Sequence, residues 1–193
     1  MNKLLALLIL ALALSGCSGI PLRSLPKLVA LQSELLDANP AEFALAIQMD
    51  ARIKPPAGTV PELQLAIRPA RPGAFEVVDR KLPMRLTVTP AGQMGLAPAG
   101  KGRHWLVFSL PPESQAELAR IQAYFKRLQA EKANNGGGSI SLGIAQEGLA
   151  ATDPALADTR WESWLRTSLR QGFFELWTGT PGELRKRAGK RDG

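Results

Sequence analysis

The chain has 193 residues, 45% of them apolar, and a formal charge of +7. That apolar fraction excludes a disordered chain, and the length suits one compact domain with its own core. A single cysteine excludes a disulfide framework and a thiolate metal site, so packing must hold the fold together, and no cofactor is expected.

The first residues read MNKLLALLILALALSGCSGI. Lys3 gives a positive start and Leu4 to Leu14 an apolar run, shorter than the roughly 20 residues a helix needs to cross a bilayer. A charged start, a short apolar run and then small residues form the pattern of a cleaved export signal. At the end of that run Leu14-Ser15-Gly16-Cys17 resembles the lipobox of bacterial lipoprotein signal peptides. The resemblance implies that 1–16 is removed and that Cys17 becomes the first residue, bearing a diacylglycerol thioether and an acylated amine. Ser18 stands where lipoproteins retained in the inner membrane often carry Asp, so the resemblance also implies an outer-membrane anchor with the body in the periplasm. The plainer alternative is an ordinary signal peptide with an incidental cysteine, which leaves a free thiol in an oxidising compartment. Several acyl chains, at about 0.8 kcal/mol per buried methylene, would hold the protein on a membrane almost permanently.

The mature part resembles small bacterial envelope lipoproteins and reads as a single domain over 17–182. In SLPKLVALQSELLDANP, Ser24 can cap a helix and Pro26 fits its first turn. Leu25, Leu28, Val29, Leu35 and Leu36 make an apolar stripe, and Asn39-Pro40 ends the helix. The stripe is expected to dock onto the body; a helix lying on the membrane is the alternative, against which its few basic residues argue.

From residue 41 the period changes to two. Phe43, Leu45, Ile47, Met49 and Ile53 fall on one face and Gln48, Asp50, Arg52 and Lys54 on the other, the pattern of a half-buried strand. Lys54-Pro55-Pro56-Ala57-Gly58 turns the chain, and Leu63, Leu65 and Ile67 alternate in an expected partner strand. Apolar positions then shift phase between Phe75–Asp79 and Lys81–Thr89, which predicts a bulge near Asp79 and Arg80, while Pro83 places that strand at an edge or near its start. Residues 90–104 read as loop and Trp105–Leu110 as a fourth strand.

Leu118, Ile121, Phe125 and Leu128 repeat at helical spacing from Glu113 to about Lys132, with Gln122, Lys126 and Arg127 facing away. NNGGGS stops that helix, and Ile140, Leu142 and Ile144 alternate in a short strand. Trp161, Trp164, Leu165 and Leu169 predict a further helix, and Phe173–Trp177 a last strand. The whole predicts an α+β fold, with an antiparallel sheet of about five to six strands and two to three helices packed on it.

Catalytic patterns are not visible. A hydrolase needs a nucleophile beside a base, yet the sole histidine, His104, reads as a loop residue at a strand entry, and neither Ser139 nor Ser141 lies in a nucleophile elbow. NNGGGS follows a helix and precedes a strand, the reverse of a phosphate loop. Glu113 and Glu117, four apart at a helix opening, favour the helix dipole without any catalytic role. No enzyme and no metal site are therefore expected.

Two features remain as binding candidates. Trp164 and Trp177 are read as a pair that a helix running into a strand would set around a cleft, against the plainer reading that they fill the core. The basic tail, 183–193, clusters Arg185, Lys186, Arg187, Lys190 and Arg191, which suits anionic lipid headgroups or simple solvation. For an exported chain the positive charge does not point to nucleic acid. The expected function is a non-catalytic binding or scaffolding module for an envelope partner, held at the outer membrane through acylated Cys17. The alternative is a lipid or lipoprotein carrier with an apolar cavity. Sequence leaves the oligomeric state open.

Overall fold

A computed structural model describes residues 21–130, 138–150 and 153–189. Cys17, Lys190 and Arg191 lie outside the described residues. The described chain is α+β: helices α1 (Leu25–Glu34), α2 (Pro112–Ala130) and α3 (Pro181–Gly189) accompany two antiparallel sheets. Five strands form the larger sheet in the order β4-β5-β1-β7-β8, comprising Arg85–Leu86, Arg103–Ser109, Ala44–Asp50, Trp161–Arg166 and Phe174–Gly179. The smaller sheet is β3-β2-β6, comprising Val78–Pro83, Glu62–Pro69 and Gly138–Ala145.

Alternation explains why the core lies between these layers. Leu45, Ile47 and Met49 of β1 and Leu63, Leu65 and Ile67 of β2 point into one cluster, joined by Leu118, Ile121 and Phe125 of α2. The two strands do not pair with each other, however. β2 pairs with β3 and β6, so the Lys54–Gly58 turn carries the chain from one sheet to the other instead of closing the expected hairpin. One expected sheet is thus divided into two.

β1 is also more buried than a strand with one solvated face. Ala44, Ala46 and Gln48 on its second face are covered as well, because the 90–102 segment folds over them. Leu96, with Ala91 and Met94 of a 3-10 turn, packs there on Ala44, Ala46 and Val107. Gly95 closes that turn at φ 86°, a left-handed conformation that a side chain would strain.

The expected bulge at Asp79 and Arg80 is absent from the ladder, which runs unbroken from Ile67↔Val78 to Glu62↔Pro83. Phe75 falls in the bend before β3, so the phase shift arises before the strand begins. Its ring meets Phe125 edge-on at 5.3 Å. Pro83 ends β3, an edge strand, where its missing N–H costs no ladder bond. Buried Met84 then carries the chain into the other sheet as β4.

Residues 161–166, expected as helix, form strand β7. Trp161 and Leu165 are four apart, an even number, so a strand also places them on one face. Trp164, three from Trp161, falls on the opposite face beside Trp105, with ring centroids 6.4 Å apart. Buried Gln146 receives hydrogen bonds on Oε1 from Trp161 Nε1 (3.1 Å) and Ser163 Oγ (2.7 Å), fixing the segment after β6 to β7.

Gln122, expected to face away, is buried and donates through Nε2 to the carbonyls of Leu35 (2.7 Å) and Ala38 (2.8 Å). The predicted stripe of α1 is split as well. Leu35 is buried, Leu31 joins Leu165 and Phe174 in a small cluster, and Leu25 and Val29 are exposed. The glycine run before β6 has a packing reason at one position: a Cβ on Gly138 would meet the Arg68 carbonyl at 2.8 Å, a backbone atom that cannot swing aside.

The turn before α1 is tied to β8 by an ion pair between Arg23 and Glu175. Burial pushes the Glu175 carboxyl up, but hydrogen bonds from Thr178 and Arg23 outweigh it and hold the group below its ordinary value of 4.5. A carboxyl depressed by folding stabilises above its unfolded pKa, and that contribution is lost as pH falls through the folded value. Since Arg23 is largely exposed, Arg23→Ala is expected to lower stability at pH 7 by about 1 kcal/mol or less. Urea midpoints of the two proteins should converge only at pH below the depressed Glu175 value, where the carboxyl is protonated in the folded protein. A gap that persists there would show that Arg23 acts through packing alone.

Candidate functional site

The sequence-predicted pair is separated by the sheet. Trp164 faces outward, half-buried among Trp105, Phe173 and Ala46, whereas Trp177 points into the main core and pairs across the ladder with Ser163. No cleft lies between two residues on opposite faces of one sheet.

Part of the basic segment is structured. Thr180 and Glu183 form a reciprocal cap, Glu183 N–H donating to Thr180 Oγ1 (3.2 Å) and Thr180 N–H to Glu183 Oε2 (2.9 Å). Helix α3 that follows buries Leu184 and carries Arg185, Lys186 and Arg187. The Arg187 guanidinium stands 5.1 Å from the centroid of the Trp177 ring, so two residues singled out separately in the sequence meet here.

His104 lies inside β5 opposite Met49. Burial pushes its imidazole pKa down, with the charge of Asp50 opposing. Among the described residues no group of three or more His, Cys, Asp or Glu is placed to hold a metal, and no helix is long and apolar enough to cross a membrane.

A different site emerges between β3 and α2, a groove of about 520 Å³. Val78 and Ile121 give it an apolar floor, and Tyr124 adds a half-buried ring. Its charged lining is mixed: Arg80 from β3 and Arg120 and Arg127 from α2 stand with the carboxylates of Glu76, before β3, and Glu117. Period-two alternation in β3 sends Arg80 toward the helix, and the spacing of Glu117, Arg120, Tyr124 and Arg127 puts all four along one side of α2.

Glu117 holds two of the arginines. Arg120 donates from Nε to Oε2 (3.0 Å) and from Nη2 to Oε1 (2.8 Å), a two-point fork, and Arg80 Nε donates to Oε1 (3.2 Å). These contacts, Arg120 first and Arg80 second, keep the Glu117 carboxyl below its ordinary range. The same fork raises the pKa of Arg120. Arg127 makes no ion pair with the described residues and leaves its five donors facing the groove mouth and water.

The groove thus sets the guanidinium of Arg127 beside an Arg80–Glu117–Arg120 cluster that is satisfied within the chain, over an apolar floor. Arginines with a tyrosine also match the composition of interface anchors. Sequence reading placed Arg127 on a solvated face and Glu117 at a helix opening, and nothing in the local pattern joined either to Arg80, 37 residues before Glu117. The five-stranded sheet has one further open feature. Its β4 edge exposes Leu86 and, just beyond, Val88 at 100%. No family model, curated protein or solved structure matches the chain.

Proposed function

We propose that the protein is a lipid-anchored, non-catalytic binding or scaffolding module of the outer membrane, its body in the periplasm, that takes an acidic segment of an envelope protein in the arginine-walled groove. The observation that carries the reading is the groove itself: Arg80, Arg120 and Arg127 over Val78 and Ile121, with Arg127 unpaired among the described residues. The open β4 edge supports it, because unpaired backbone groups at a sheet edge accept an added strand. The lipobox-like Leu14-Ser15-Gly16-Cys17 supplies the membrane placement.

A photocrosslinking residue at position 123, on the groove lining but outside the arginine set and carried by the full protein in its native envelope, is expected to give a defined protein adduct that Arg120→Glu abolishes. The same probe at position 52, in a turn outside the groove, should give none. Equal adducts from both positions, or an adduct indifferent to Arg120→Glu, would remove the groove from the reading.

The carrier alternative draws on a second feature, an apolar slot of about 240 Å³ between α1 and β6, lined by Leu28, Leu31, Leu35, Ile140 and Leu142. It is smaller than the roughly 300–1,000 Å³ usual for a ligand pocket, so the binding-module reading is preferred.

A further inference from the structure

Helix α1 and the 3-10 turn that leads into it, Leu22–Ser24, carry two faces, and only one is used by the fold. Inward, Ser24, Leu31 and Leu35 are buried and Leu28 is half-buried. Outward, Leu22, Leu25 and Val29 stand 76%, 41% and 70% exposed. Their spacing of three and then four residues aligns them in one stripe. A helix docked on a globular body carries polar residues on its solvent side, so three apolar residues in register there are not the scattered exposure of an ordinary surface.

We infer that this outer face of α1 lies on the bilayer surface, and so fixes which side of the protein faces the membrane. The inference rests on the lipid-anchor reading of Cys17, and deepens it. Four residues lie between Cys17 and Leu22, a span of at most about 18 Å over the five steps when fully extended. An acylated Cys17 therefore keeps the stripe close to the headgroup layer. Charge is neutral to that placement: α1 carries Lys27 and Glu34, and Arg23 before it is paired with Glu175, so the tether and the apolar stripe carry the inference. Arg23 and Lys27 turn toward the body, Arg23 to Glu175 and Lys27 over the Phe174 ring, 5.5 Å from its centroid, which leaves the outer stripe purely apolar. A second copy of the chain is a poorer occupant, because three side chains cannot supply the roughly 800 Å² per partner of a stable dimer.

The test uses the full acylated protein in vesicles of phosphatidylethanolamine and phosphatidylglycerol. With Cys17 blocked by lipid, Val29→Cys offers a single thiol for an environment-sensitive dye, and Val88→Cys, on an exposed strand edge, offers the control. The dye at 29 is expected to shift to the blue and to be quenched by spin-labelled lipid, while the dye at 88 stays water-like. Leu22→Gln with Leu25→Gln, both on the exposed stripe, should reduce the shift at 29 without detaching the protein from vesicles. A water-like dye at 29 on protein that floats with the vesicles and carries the acyl mass would overturn the inference and leave the anchor standing. Absence of the acyl mass, with no flotation, would overturn the anchor and this inference together. A shift at 29 that needs no lipid and grows with protein concentration would assign the face to a second copy instead.

Discussion

Replacing Trp161 by alanine should lower the free energy of unfolding by about 3–5 kcal/mol, the largest single-site loss expected in the chain. Trp161 is fully buried on the inner face of β7, in the cluster that both sheets share with α2. The cluster is built from separate elements, Met49 of β1 and Leu184 of α3 among them, so backbone collapse around the hole is restricted. The polar part of the loss is small. Gln146 Oε1 keeps the Ser163 hydroxyl after the indole is gone, so no buried acceptor is orphaned. Trp161→Phe separates the two contributions: it keeps most of the ring volume, loses the Gln146 bond, and should cost about 1–2 kcal/mol. Urea unfolding with an unchanged slope is the measurement. A loss under about 1 kcal/mol for Trp161→Ala would contradict the inward placement of Trp161 in β7.

That residue also shows where the sequence was readable and where it was not. Leu45, Ile47 and Met49, and Leu63, Leu65 and Ile67, announce strands because three apolar residues in strict alternation have no helical reading. Leu118, Ile121, Phe125 and Leu128 announce α2 because their spacing of three and four cannot sit on one side of a strand. Trp161 and Leu165 satisfy both geometries, and Trp164 tipped the reading toward helix although it belongs to the other face of the sheet. A turn such as Lys54–Gly58 states that the chain reverses, but not whether the next strand pairs with the last one or crosses to another layer. The arginine groove was illegible for a related reason. Its walls come from β3 and α2, and only the tertiary packing that seats Val78 beside Ile121 brings Arg80 to Glu117.

Gln122→Leu should destabilise the protein by about 2–4 kcal/mol even though it replaces a polar residue in a buried position with an apolar one. Near the end of α1 the carbonyls of Leu35 and Ala38 lack helical partners, and the Gln122 side-chain amide serves both. Leucine leaves two acceptors without a donor, each worth about 1–3 kcal/mol when water cannot reach it. Gln122→Glu tests the same geometry by charge. At neutral pH the new carboxylate would face two carbonyl oxygens and have no proton to give, so its pKa in the folded state must rise. A carboxyl raised by folding is least damaging when protonated, so the deficit of this variant should shrink as pH falls through that raised value and grow as pH rises through it. Gln122→Leu should show no such recovery. Amide hydrogen exchange would place the loss, because α1 is fastened to α2 at this point and its amides should lose protection before those of β1. Equal protection of α1 in the parent and Gln122→Leu proteins would mean that the Leu31 and Leu35 contacts alone hold the helix down. A loosened α1 would also carry Leu22, Leu25 and Val29 away from the orientation that the buried face imposes, and so weaken the bilayer contact proposed for that stripe.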